Sequence, residues 1–162
     1  MKNNNIQADK KLNELIKACI KFGSDQDGRI TKTKLAKLVY LADFVFYYEN
    51  LKPITGVTYV KMAQGPVAFE YFDKLTDLVG NNEISIKKYR AAQMIALRIN
   101  FIKDVLSDKE LETIQKVCQK WKNKSTNEIV KFTHEQVPWK ISFDKDEVPY
   151  SLIIQQDAAK LY

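Results

Sequence analysis

The chain has little of what enzymes and metal proteins normally show. Its 162 residues include one histidine, His134, two cysteines, Cys19 and Cys118, and five scattered glycines. The cysteines form neither a CxxC pair nor a zinc-type spacing. Both fall on apolar helix faces, which predicts buried free thiols in a reducing cytoplasm. Any Ser/His/Asp or Cys/His arrangement would have to use His134, and no Gly-x-Ser-x-Gly elbow accompanies it. His134-Glu135 lacks the second histidine of a zinc helix, and the glycines make neither a Walker loop nor a GxGxxG. Glu110 and Glu112 project to different sides of one helix, so they are no acid/base pair. No apolar run approaches the roughly 20 residues of a membrane span. Met1 to Asn5 is polar where a signal peptide would be apolar. The expectation is a cytoplasmic protein with no catalytic activity, no cofactor, no metal and no membrane segment.

What is present is globular: 45% hydrophobic and 28% charged residues, with 26 Lys+Arg against 20 Asp+Glu for a net charge of +6. A chain this long buries enough surface to fold without disulfides or metal. Residues 1–162 are read as one domain. Asp25-Gln26-Asp27-Gly28 imitates a calcium loop. With Gly28 at the sixth position, however, Gly23 and Lys34 occupy the first and twelfth, where carboxylates are required.

Apolar spacing predicts a helix over 8–22, using Leu12, Leu15, Ile16, Cys19 and Ile20, stopped by Gly23. Thr31 is the N-cap of a second helix over 31–50. From Leu35 to Tyr48 only Lys37 and Asp43 are charged, so this helix is either central or covered by a partner. Its Tyr40, Tyr47 and Tyr48 side is of the composition that anchors interfaces. Asp43, if buried, needs donors. A strand over 57–63, a break at Gly65-Pro66 and a helix over 66–79 follow, the proline sitting in the helix's first turn. Glu83–Tyr89 and Met94–Asn100 read as a hairpin. Ser107/Glu110 and Ser125/Glu128 are capping boxes opening helices at 108–122 and 126–135. Ser151 to Leu161 reads as a short last helix. The fold class is α+β: predominantly helical, with a small antiparallel sheet.

Four blocks in order resemble the Panacea antitoxin domain, also called the SocA-like or GepA-type phage-associated family. They are Lys37-Leu38-Val39-Tyr40-Leu41-Ala42-Asp43; Pro53-Ile54-Thr55-Gly56 with Tyr59-Val60-Lys61-Met62 and Gly65-Pro66-Val67; Leu106-Ser107-Asp108; and Ser125 to Ile129 followed by Thr133-His134-Glu135 and Pro138-Trp139. The resemblance spans about residues 10–140 and leaves 141–162 as a tail. Gln64 stands where the family often has an aromatic or another polar residue. The resemblance implies a non-enzymatic antitoxin whose partner is a cognate protein toxin encoded beside it. One family branch resembles an adaptor that delivers its toxin to an ATP-dependent protease complex. The expected toxin contacts are Tyr40, Asp43, Tyr47, Tyr48, Gln64, His134 and Trp139. Thr133, His134 and Trp139 can close over the Gly65-Pro66 corner. A competing reading is a nucleic-acid binder using Lys87, Lys88, Arg90 and Arg98, which lie in a stretch, Ile84 to Lys103, without acidic residues. A second basic cluster, Lys116, Lys120, Lys122 and Lys124, surrounds Trp121.

Overall fold

The computed structural model describes residues 2–162, with side chains from Asn5 onward. Met1 and the side chains of residues 2–4 lie outside this range, so the polar N-terminus is described only in part. Helix α1 runs Lys2–Gly23, beginning earlier than its apolar periodicity suggests. Helix α2, Lys32–Asn50, starts where the Thr31 side chain accepts from the Lys34 N–H. Every residue from Lys34 to Phe46 is buried, which settles its position as the central element of the fold. Helix α4, Asp108–Trp121, and helix α5, Thr126–Glu135, begin with complete reciprocal capping boxes on Ser107/Glu110 and Ser125/Glu128. Helices α1, α4 and α5 all pack against α2.

The core joins Leu12, Leu15 and Ile16 of α1 to the buried faces of α2 and α4. Cys19 and Cys118 meet there as buried free thiols, and burial pushes the Cys19 thiol well up. Two of the charged groups admitted to this interior are well satisfied, whereas the buried Trp121 indole N–H has no partner among the described residues. Glu14 accepts from the backbone N–H groups of Asp104 and Val105 at 2.7 and 2.6 Å, pinning the approach to α4. Lys34 donates to the carbonyls of Lys122 and Lys124 at 3.0 and 2.7 Å, tying α2 to the connection that follows α4.

Strands β1 (Arg29–Thr31), β4 (Ile84–Tyr89) and β5 (Ala92–Leu97) form an antiparallel sheet in the order β1-β5-β4. Strand β1 adds to the predicted hairpin; its three residues carry too little alternation to show as a strand in the sequence. The turn between β4 and β5 is tighter and earlier than the sequence suggests: Tyr89 pairs with Ala92, and Arg90 takes φ 54. An arginine in the left-handed region carries no turn signature.

Gly65–Ala68 is not the start of a helix. It is strand β3, paired with β2 (Tyr59–Met62) through the two-residue turn Ala63-Gln64. Helix α3 begins only at Tyr71 and ends at Gly80. Pro66 is tolerated because β3 is the free edge of this ribbon, where a missing N–H breaks no ladder. On its other edge the ribbon meets the tail: Val60 bridges Glu147, and the Val148 N–H donates to the Tyr59 carbonyl at 2.8 Å. A short helix α6, Val137–Ile141, follows α5. The predicted last helix is instead two 3₁₀ turns, Tyr150–Gln155 and Ala158–Lys160. Among the described residues no helix is long and apolar enough to cross a membrane.

Candidate functional site

The β2–β3 tip is where the polar motif residues converge. Lys37 projects from the middle of α2 and is 1% exposed. Its Nζ donates to the Pro66 carbonyl at 2.8 Å. It has no ion pair among the described residues, and burial alone pushes its pKa from 10.5 down to about 7. Gly65 lies against it with φ +106, and a Cβ placed there would stand 2.7 Å from Thr133 Oγ1 and 3.1 Å from Lys37 Nζ. Thr133 is itself buried and donates back to the Val130 carbonyl at 2.9 Å. A side chain at position 65 would therefore need both an unfavourable backbone and space already filled. Gly65→Ala is expected to lower stability by about 2–3 kcal/mol. Thermal melts check this, and an unchanged melting temperature would show that the corner has slack.

His134 and Trp139 close over the outer side of the same corner. Their rings stack with centroids 4.0 Å apart. The Trp139 Nε1–H donates to the Met62 carbonyl at 3.3 Å, and the Lys61 ammonium sits 4.2 Å from the Trp139 ring centroid. Burial, with Lys37 and Lys61 nearby, holds the His134 pKa below its ordinary value, and its buried Nε2 has no partner among the described residues. Gln64, at the tip, accepts from Thr33 at 3.3 Å. Between this tip and the starts of α2 and α3 lies a cavity of about 290 Å³, whose lining includes Lys32, Lys37, Met62, Gln64, Tyr71 and Phe72. Met62 and Phe72 are 40% and 45% exposed.

The other expected contacts sit elsewhere. Asp43 is fully buried. It accepts from the Ile54 N–H at 2.7 Å, the Thr55 N–H at 3.1 Å, the Thr55 hydroxyl, Tyr59 at 3.0 Å and Tyr150 at 2.9 Å. Burial pushes its carboxyl upward while these donors pull it back. Tyr40 is also fully buried, donates to Gln136 Oε1 at 3.0 Å, and has a phenol raised by desolvation. Neither side chain reaches the surface, so both hold the fold beneath any docking face. Tyr47 is half-buried and stacks on Tyr150 of the tail at 5.5 Å, and Tyr48 is half-buried beside it. The remaining motif positions divide in the same way. Leu38 and Ala42 are core residues, and Pro53, Thr55 and Gly56 shape the loop that serves Asp43, whereas Val67 lines the cavity.

The basic residues do not form one patch. Lys87, Lys88 and Arg90 cluster at one end of the β4–β5 hairpin, while Arg98 adjoins Glu83 at the other, about 17 Å away along the strands. In the second cluster, Lys116 pairs with Glu112 at 3.1 Å and Lys124 with Glu128 at 3.9 Å. Lys120 lies over the Tyr162 ring.

Sequence reasoning missed Lys32, Met62 and Phe72. One signal was available for Phe72. It stands off the Tyr71, Leu75, Leu78 stripe of α3, so it is a large aromatic on the outer side of an amphipathic helix. A family model described as antitoxin SocA-like, Panacea domain, matches residues 35–140. No curated protein and no solved structure matches the chain.

Proposed function

The chain belongs to the antitoxin SocA-like, Panacea-domain family, and from that premise we propose that it neutralises a cognate protein toxin by binding it directly at the β2–β3 corner. The family assignment points to a non-enzymatic role with a protein partner. The observation that supports the corner is its composition. Gln64, His134 and Trp139 meet there beside a half-open cavity edged by exposed Met62 and Phe72. Aromatic residues and methionine are enriched at interfaces, where they supply large apolar contact area. The Tyr47 side of α2 is a weaker choice, because Tyr150 of the chain's own tail already stacks on it. The dispersed lysines and arginines likewise give no continuous track for a phosphate backbone.

The test is coexpression with the product of the adjacent reading frame. Growth should be restored and the two proteins should copurify. Combining Met62→Ala with Phe72→Ala should weaken the isolated complex at least about tenfold. The circular dichroism of the free protein should stay unchanged, since both side chains are largely outside the core. If Tyr48→Ala weakens the complex and the double variant does not, the contact lies on the tail-covered face instead.

A further inference from the structure

The cavity at the corner has an unusual electrostatic character for so apolar a space. No carboxylate lines it, whereas two lysines, Lys32 and Lys37, do. Neither makes an ion pair among the described residues. Lys32 holds its ammonium 4.9 Å from the Phe72 ring centroid, and Lys37 donates to the Pro66 carbonyl. Glu70 and Asp73, the acids nearest in sequence to the α3 side, are not among the lining residues. The first turn of α2 contributes to the same space and contains no acidic residue. The positive end of that helix therefore adds to the two ammonium groups instead of being offset. A buried ammonium without a counter-charge is costly, and an arriving anion that pairs with it recovers part of that cost. The remainder of the lining, with Met62, Val67, Tyr71 and Phe72, is suited to an apolar stem and not to a hydrated ion.

We propose that this cavity is a receptor for a carboxylate: an Asp or Glu side chain of the partner protein inserts between Met62 and Phe72 and places its charge beside Lys32 and Lys37. The volume suits one or two side chains rather than a nucleotide or a larger cofactor. Gln64 at the mouth supplies an amide donor to the same group. The apolar edge and the cationic lining then act together, giving affinity through area and register through charge. This inference rests on the partner-binding reading above, and its test has one arm that does not depend on that reading.

In the first arm the ¹⁵N-labelled protein is titrated with 3-phenylpropionate and, separately, with the neutral 3-phenylpropanamide. Saturable shifts are expected at Thr33, Ala36, Gln64 and Phe72, in the millimolar range for so small a probe. Binding should be about tenfold weaker for the amide and for Lys32→Met combined with Lys37→Met. Equal binding of acid and amide, saturation elsewhere on the surface, or no saturable shift overturns the receptor. In the second arm the complex with the adjacent-frame product is measured after Lys32→Glu and after Lys37→Met, and each should weaken it at least about tenfold. A complex that forms and ignores both substitutions overturns the receptor and leaves partner binding standing. If the wild-type protein forms no complex, partner binding falls, and the carboxylate titration alone decides the cavity.

Discussion

Replacing Asp43 with alanine is expected to cost about 3–5 kcal/mol, a large part of the stability of a domain this size. The reason is the number of groups that depend on one carboxylate. Five donors from four residues end on it: two backbone N–H groups of the 54–55 loop, the Thr55 hydroxyl, and the phenols of Tyr59 and Tyr150. Tyr59 is fully buried, and Tyr150 keeps one other close acceptor, the Val57 carbonyl at 2.9 Å. Alanine would strand most of these donors in a place water does not reach, and each stranded donor costs about 1–3 kcal/mol before relaxation. Asp43 also ties three distant segments together, so its loss should free the 53–58 loop and the tail from α2. Asp43→Asn keeps the shape and one acceptor but turns an NH₂ group toward donors, so it should fall between wild type and alanine. Urea denaturation of the three proteins measures the series. An alanine variant within 1 kcal/mol of wild type would mean that water or rearranged neighbours replace the carboxylate.

The need for donors at Asp43 was legible in the sequence, because a lone acid among apolar residues of a helix has few alternatives. The central place of α2 was legible for the same reason, and so were α4 and α5, whose capping boxes are local chemistry complete within four residues. The β2–β3 ribbon was legible only in part. A Gly-Pro step normally ends a strand, and here it begins one, because Gly65 supplies the left-handed backbone after a two-residue turn and Pro66 lies on a free edge. That outcome depends on Thr133 and Lys37 approaching from other elements, which no local pattern reports. The cavity was illegible for a related reason. Its walls come from residues 32–37, 62–67 and 71–72, and only folding brings them together. Tyr40, Tyr47 and Tyr48 show how residue type and surroundings can diverge. Their residue type suits an interface, but the partner that Tyr47 finds is Tyr150 of the same chain.

Lys37→Met should stabilise the protein at neutral pH, which is the reverse of what removing a buried, hydrogen-bonded motif residue usually does. The folded-state pKa of Lys37 lies near 7 against 10.5 for an ordinary lysine. Between those values the unfolded chain holds the proton and the folded chain releases it. Folding is then opposed most at and below pH 7, and the opposition fades as pH rises toward 10.5. The full difference of 3.5 between the two values corresponds to about 5 kcal/mol. Methionine fills similar volume without charge and forfeits only the bond to the Pro66 carbonyl, about 1–2 kcal/mol. The variant should therefore be more stable than wild type by about 3 kcal/mol at pH 7. That advantage should shrink by roughly the same amount by pH 9.5. Lys34 and the buried tyrosines also titrate with shifted values, but they are common to both proteins and cancel in the difference. Denaturant midpoints at the two pH values give the answer. A difference that stays flat with pH would place the Lys37 charge in contact with a counter-ion or water, and a destabilised variant would make the Pro66 bond the dominant interaction. If the gain appears, the protein keeps at its corner a charge that opposes folding. Such a cost is understandable where the charge is completed by a partner instead of by the chain itself, the usual exchange of stability for function at a binding site. The same substitution should then raise the denaturant midpoint of the free protein while weakening the complex, a pair of opposite effects that a purely structural lysine would not produce.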